Sequence, residues 1–142
     1  MFERFARQSR EAVVFALEEA GRRGDRKVGT EHLLFGTLHD PEAAQLAGVG
    51  PSDVRRVEEE LDREALSAVG VEVDEFGPLA PAAGAARLPF TPGAKAVLRR
   101  ALGHAAGEKS RTIDARHLLA ALRECEKDEA AAVVLEKLRK EG

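Results

Sequence analysis

Residues 103–110, GHAAGEKS, look at first like a loop that could hold the phosphates of a nucleotide. A loop of that kind needs glycine where Glu108 stands and a β-strand in front of it. The residues before Gly103 have the spacing of a helix instead, and the Glu108 carboxylate would face the phosphate. The sequence therefore argues against a nucleotide site.

The other reactive side chains also lack the context that chemistry would require. His32 and His39 lie seven residues apart on one predicted helical face, but without a third ligand they are packing or surface histidines rather than metal ligands. None of the serines stands in a nucleophile elbow, and Cys125 has the position of a small buried residue on a helix. We therefore expect no catalytic residue, no metal and no cofactor.

Bulk properties narrow the class of protein. The 142 residues suit one domain, 1–142. The formal net charge of -3 produces no strong electrostatic potential that would attract nucleic acid or a membrane. A single cysteine excludes an intrachain disulfide and favours a reducing compartment, and no stretch is apolar for long enough to span a bilayer. We expect a cytoplasmic protein that is a monomer in isolation.

The most informative feature is an internal repeat, in which several residues are matched by an identical or similar residue 85 positions later. At that offset His32-Leu33-Leu34 falls on His117-Leu118-Leu119, and Phe5 falls on Phe90. We divide the chain into repeat one, 1–76, a linker, 77–89, rich in proline and alanine, and repeat two, 90–142.

Apolar residues recur at three- and four-residue steps in both repeats, which predicts an all-α bundle of about seven to eight helices with pseudo-twofold symmetry. Helix starts are predicted from capping residues and prolines at Thr30, Asp40-Pro41, Pro51, Thr91-Pro92, Asp114 and Asp128. Repeat two shows no counterpart of the helix predicted from Pro51 to Leu66, so its last helix is apparently missing.

Three motifs resemble the double Clp repeat that forms the N-terminal domain of Clp ATPases, most closely the ClpC type. They are 1–5, MFERF, 29–36, GTEHLLFG, and 88–95, LPFTPGAK. The resemblance implies a non-enzymatic domain that captures adaptors and substrate proteins for a hexameric unfoldase and does no ATP chemistry itself. Two forms stay open: the N-domain of a full ATPase, or a free-standing protein that competes for the same partners.

The resemblance also implies a ligand and shows where this chain departs from the family. Both ClpC-type repeats carry Phe-Thr and Gly-Thr-Glu-His, and the two glutamates help to recognise phosphoarginine. Here repeat one has Phe5-Ala6 with Glu31, whereas repeat two has Phe90-Thr91 with Arg116, so each half lacks one element. A carboxylate holds a guanidinium by paired hydrogen bonds, and an arginine repels it. We expect weak binding at Glu31 and none at Arg116, unless Glu31 is merely a first-turn acid favoured by the helix dipole.

Two further surfaces are candidates for binding. Phe2, Phe90 and Lys95 could form a docking patch where the two repeats begin, although core packing is equally open for Phe5 and for Phe90. The basic stretch 22–27 supports the alternative of a small helical nucleic-acid-binding or regulatory protein. That alternative would need more cations than the stretch provides.

Overall fold

The computed structural model describes residues 5–70 and 88–141, and within these ranges it contains seven α-helices and no β-strand. Phe2, most of the predicted linker and the end of repeat one at residue 76 lie outside the described residues. The helices are α1 Arg7–Arg22, α2 Thr30–Thr37, α3 Pro41–Ala47, α4 Pro51–Ala68, α5 Pro92–Gly107, α6 Ala115–Arg123 and α7 Ala130–Glu141.

Local chemistry accounts for both ends of α3 and for the start of α5. Asp40 accepts a hydrogen bond from the Ala43 amide at 3.0 Å to start α3. The helix is closed by Gly48, where φ is +76° and a side chain would be strained. Thr91 accepts from the Ala94 amide at 3.0 Å to start α5. The predicted starts at Asp40-Pro41 and Thr91-Pro92 are therefore confirmed.

Equivalent residues of the two repeats make equivalent contacts, as pseudo-twofold symmetry requires. Helices α1 and α5 begin and end 85 residues apart, at Arg7–Arg22 and Pro92–Gly107. Phe5 forms a parallel β-bridge with Ile113, and their repeat mates, Phe90 and Val28, form the other bridge. Each repeat thus begins by pairing with the loop before the second helix of the other repeat.

The core is built from two helix pairs, α1 with α2 and α5 with α6. In repeat one Gly36 lies directly against the carbonyl oxygen of Ala12, where a Cβ would overlap the α1 backbone. Its repeat mate is Ala121, so α5 and α6 accommodate a methyl group at the same position. Helix α2 also packs on α4 and α7, and α6 packs on α3.

The end of repeat two departs from repeat one. Helix α3 ends before Gly48, but its counterpart α7 continues to Glu141. The described part of repeat two has three helices, whereas that of repeat one has four.

Two predicted caps are wrong. Gly29, not Thr30, precedes α2, and the Thr30 hydroxyl instead accepts from the Ala131 amide of α7 at 3.0 Å. Helix α7 begins two residues after Asp128, and Thr30 caps one of its first amides.

Candidate functional site

The two β-bridges decide how the sequence motifs are combined. The Thr91 amide donates to the Val28 carbonyl at 2.9 Å, and the Val28 amide donates to the Pro89 carbonyl at 2.8 Å. The Phe90-Thr91 motif of repeat two therefore meets the Glu31 motif of repeat one. We call the surface formed by Glu31, Phe90, Thr91 and Lys95 the Glu31 site.

The remaining two motifs form a second, pseudo-equivalent surface. The Ala6 amide donates to the Ile113 carbonyl at 3.1 Å, which brings Phe5 and Ala6 beside the start of α6 and Arg116. We call the surface formed by Phe5, Ala6 and Arg116 the Arg116 site. The two elements that match the family are thus brought together in one site, and the two that depart from it are brought together in the other.

Glu31 lies in the first turn of α2 with a quarter of its side chain exposed. Its carboxylate folds back over Gly29, which has no side chain to occupy that space. The Gly29 amide donates to His32 Nδ1 at 2.8 Å, so the start of the helix is held without the help of Glu31. The Glu31 carboxylate is therefore a partly exposed charge in the first turn of α2.

Glu129 is a second acid at the Glu31 site that the sequence analysis missed. The Thr30 hydroxyl, which lies 3.4 Å from Glu129 Oε1, connects the loop before α7 to α2. The same carboxylate packs against Gly93 in the first turn of α5, at a point where a Cβ would not fit. Its position 99 residues from Thr30 leaves no local sequence signal by which it could have been found.

The other residues of the Glu31 site differ in accessibility. Lys95 is exposed, and Thr91 is half-buried with its hydroxyl engaged in the α5 cap. Phe90 is half-buried against the core. The charged side chains of this surface are therefore Lys95, which is exposed, and Glu31 and Glu129, which are half-buried.

The Arg116 site offers neither an apolar contact nor a carboxylate at the position of Glu31. Phe5 is only 3% exposed and belongs to the core, so we assign it a packing role in place of the predicted partner contact. Arg116 lies 3.0 Å from Glu108 Oε1 and 3.6 Å from Asp114 Oδ2. Hydrogen bonds from His117 and Arg116 lower the pKa of Glu108 and keep that carboxylate charged.

Comparison with known proteins decides the family. The sequence profile described as "Clp repeat (R) N-terminal domain" matches residues 4–138. This chain belongs to the Clp repeat N-terminal domain family. The domain that defines this family is non-catalytic. The all-α fold of the described residues is the fold of that domain.

Relatives of this Clp repeat domain include chloroplastic Clp proteins. It is 35% identical over 143 residues to chaperone protein ClpC1 of Arabidopsis thaliana, covering 97% of this chain and 14% of that relative. A Guillardia theta ClpA homolog is also 35% identical, with 16% of its length covered. The chain therefore spans about one seventh of the length of the curated relatives it matches.

Two solved structures share the fold of the Clp repeat domain. The N-terminal domain of ClpD from Arabidopsis thaliana aligns with a TM-score of 0.72 at 23% identity, covering 98% of this chain and 89% of that one. The Hsp104 N-terminal domain of Candida albicans gives 0.56 at 17% identity, covering 99% of this chain and 94% of that one. These likenesses establish the fold alone.

Both repeats of the Clp domain use a histidine to fasten the start of the second helix. His117 Nδ1 accepts from the Asp114 amide at 2.9 Å, as His32 Nδ1 does from Gly29. Because Nδ1 accepts, Nε2 carries the proton and donates to a carboxylate, at 2.8 Å to Asp25 and at 2.6 Å to Glu108. The two matched histidines therefore make the same pair of hydrogen bonds, although the two acids come from non-equivalent positions.

Buried acids lie behind the Glu31 site. Burial raises the pKa of Glu19, but hydrogen bonds from Arg22 and Arg55 outweigh it and leave that pKa below its ordinary value. Burial raises the pKa of Glu58 to about 8; Arg23 opposes this rise, whereas Glu31 adds to it by repulsion. Glu58 is 4% exposed, and neither of its oxygens accepts a hydrogen bond from the described residues.

Two of the four cations in the basic stretch 22–27, Arg22 and Arg23, are committed to contacts inside the domain, whereas Arg26 and Lys27 are exposed. Arg22 donates to both oxygens of Glu19, at 2.7 and 3.0 Å, and Arg23 donates to Asp62 at 2.7 Å. Arginines held in this way cannot turn freely toward phosphates. The two remaining cations, Arg26 and Lys27, do not make the larger basic patch that the nucleic-acid alternative would need.

Within the described residues, no helix combines the length and apolar character needed to cross a membrane.

Proposed function

We propose that this Clp repeat domain docks adaptors or substrate proteins for a Clp unfoldase, and that docking occurs at the Glu31 site. The observation that carries the proposal is the pairing of Val28 with Phe90, because it joins the Phe-Thr and Glu motifs in one place. The domain performs this role either as part of a longer Clp ATPase or as a separate polypeptide. The cytoplasmic location and the monomeric state stay predictions.

The chemistry of the Glu31 site suits a phosphoarginine side chain on a tagged substrate. The Glu31 carboxylate can accept paired hydrogen bonds from a guanidinium, and Glu129 adds negative charge nearby. Lys95, which is exposed on the first turns of α5, supplies a cation for the phosphoryl group. Charge-assisted hydrogen bonds of this kind are roughly twice as strong as neutral ones.

The Arg116 site should not bind the same ligand. The Arg116 guanidinium, which is held by Glu108, stands where Glu31 stands in the other site and would repel an incoming guanidinium. We therefore propose one phosphoarginine site per chain. The Arg116 site also serves as an internal control for the experiment.

Isothermal titration calorimetry with free phosphoarginine tests the proposal. We expect one binding event per chain, a loss of at least about tenfold in affinity, or ~1.4 kcal/mol, for Glu31→Gln, and no change for Arg116→Gln. Unmodified arginine at the same concentrations controls for simple charge attraction. No heat from the wild-type chain, or equal weakening by both substitutions, would contradict the proposed ligand.

Docking of whole proteins requires a separate measurement. We expect a Lys95→Glu chain to lose partner proteins that the wild-type chain retains from a lysate, with Arg99→Glu as a matched control because both side chains are exposed on α5. Lys95 is preferable to Phe90 for this test, since Phe90 packs against the core. Retention of the same partners by all three chains would place docking elsewhere.

A further inference from the structure

A carboxylate of the domain itself lies at the edge of the Glu31 site where α5 begins. The Glu129 side chain lies over Gly93, the second residue of α5, with Cδ at 2.5 Å and Oε2 at 2.7 Å from the point where a Cβ of residue 93 would stand. The Cα–Cβ bonds of a helix tilt toward its N-terminus. The Glu129 carboxylate therefore faces the first turn of α5, the end of a helix that carries a partial positive charge.

The carboxylate is held in this position by a weak contact. Among the described residues, its side-chain hydrogen bond comes from the Thr30 hydroxyl at 3.4 Å, which is longer than the usual range for two oxygens. The Thr30 hydroxyl also accepts from the Ala131 amide at 3.0 Å, so it keeps a structural role without Glu129. Because Glu129 is half-buried at the surface, its side chain can turn away from α5 with little loss of packing.

The same position is where the phosphoryl group of the proposed ligand would lie. A guanidinium paired with Glu31 directs the phosphoryl group toward Lys95, which follows Gly93 by two residues in α5. A phosphoryl group carries roughly two negative charges at neutral pH, whereas a guanidinium carries one positive charge. Glu129 therefore repels the phosphoryl end of phosphoarginine more strongly than it attracts the guanidinium end.

The contact between Glu129 and Gly93 has no counterpart in the Arg116 site. At the offset of 85 residues Glu129 falls on Ala44, and Gly93 falls on Gln8. Repeat one thus has neither the carboxylate nor the glycine that admits it. The shared fold does not require this contact, so the reason for it belongs to the Glu31 site.

We propose that Glu129 determines the specificity of the Glu31 site by competing with the phosphoryl group of a ligand for the start of α5. This inference rests on the proposed function of that site. A phosphoarginine side chain has to displace the Glu129 carboxylate, whereas an unmodified arginine has no phosphoryl group and leaves it in place. Glu129 thus lowers the affinity for phosphoarginine and does not lower that for arginine.

Isothermal titration calorimetry of the full 142-residue chain with free phosphoarginine, and separately with unmodified arginine, tests this inference. In Glu129→Gln the side chain keeps its shape, and its amide oxygen can still accept from Thr30, but the charge is lost. We expect this variant to bind phosphoarginine at least about threefold more tightly than the wild type, because repulsion of a dianion at close range is removed. It should bind arginine no more tightly. The gain for phosphoarginine should shrink at about 0.5 M salt.

Three further variants make the result specific. Glu126→Gln is the matched control, because it removes the same charge from an exposed acid in the same loop before α7, and it should change both affinities by less than about twofold. Glu129→Ala removes the carboxylate altogether and should give a similar gain, should the glutamine variant fail to fold. Glu31→Gln added to Glu129→Gln should abolish the gain, because the guanidinium then loses its partner.

Several results would overturn the inference. If the wild type binds phosphoarginine and both Glu129 variants bind it equally or more weakly, Glu129 does not compete with the phosphoryl group, and the proposed function of the Glu31 site still stands. An equal gain for arginine, or an equal gain in Glu126→Gln, would show a general effect of net charge. An absence of phosphoarginine binding by every chain would overturn this inference together with the proposed ligand.

Discussion

Replacing Glu58 by glutamine should make the domain more stable in alkaline solution and leave it unchanged in acid. Glu58 is 4% exposed, and its Oε2 lies 3.1 Å from Arg23 Nε, but neither Glu58 oxygen accepts a hydrogen bond from the part of the chain that the structure describes. Arg23 also has Asp62 at 2.7 Å and Asp25 at 3.5 Å as partners. Loss of the Glu58 charge therefore leaves the arginine paired.

The size and the pH range of the effect follow from the pKa of Glu58. The folded chain keeps the proton up to about pH 8, whereas the unfolded chain releases it near the ordinary value of 4.5. Between these values the folded state binds more protons, so the free energy of unfolding falls as the pH rises. The difference between the pKa of Glu58 in the unfolded and the folded chain corresponds to a loss of at most about 5 kcal/mol in the free energy of unfolding. Because glutamine retains the shape and cannot ionise, Glu58→Gln should recover about 2 kcal/mol at pH ~8.

Urea denaturation followed by circular dichroism, at steps between about pH 5 and pH 9, gives the difference in free energy of unfolding between the variant and the wild type. We expect a difference near zero at the acidic end that grows in favour of the variant. Glu59→Gln is the matched control, because Glu59 is the exposed neighbour on α4 and should give a flat profile. A difference that does not change with pH, or a variant less stable at pH ~8, would show that the Arg23–Glu58 pair stabilises the fold.

Two other substitutions test the packing. Gly36→Ala should reduce the free energy of unfolding by about 2 kcal/mol or more, because the new Cβ would overlap the Ala12 carbonyl. The control Gly103→Ala, whose Cβ meets nothing within 4 Å, should raise the free energy of unfolding by about 0.5 kcal/mol. Equal effects of the two substitutions in urea denaturation would contradict the close approach of α1 and α2. Thr30→Val should cost about 1.5 kcal/mol and accelerate hydrogen exchange at the start of α7, since the Ala131 amide loses its acceptor. Unchanged exchange there would remove Thr30 from the capping of α7.

Local sequence signals were sufficient for most of the secondary structure. The spacing of apolar residues predicted helices, and the Asp40-Pro41 and Thr91-Pro92 pairs marked the starts of α3 and α5, because a cap and a proline act within one turn of the helix. The repeat was also visible in the sequence, since residues 85 positions apart retain the same types. The family motifs predicted the fold class that the structure and the comparisons confirm.

Contacts between distant residues could not be predicted in the same way. Thr30 has the residue type and position of a cap for α2, but it serves α7, because the fold brings the Ala131 amide to 3.0 Å from its hydroxyl. Glu58 has the pattern of a solvent-facing residue among charged neighbours on α4, yet the fold buries it beside Arg23, the residue that follows α1. Neither outcome depends on residues nearby in the sequence.

The sequence by itself determined that this protein is a duplicated helical domain in which each repeat carries one intact and one altered motif. Only the tertiary structure decided that the intact motifs share one site, through the bridge between Val28 and Phe90, and that the altered ones share the other, through the bridge between Phe5 and Ile113. The physical reason is that a motif records local residue types, whereas backbone pairing across the two repeats depends on how they pack against each other.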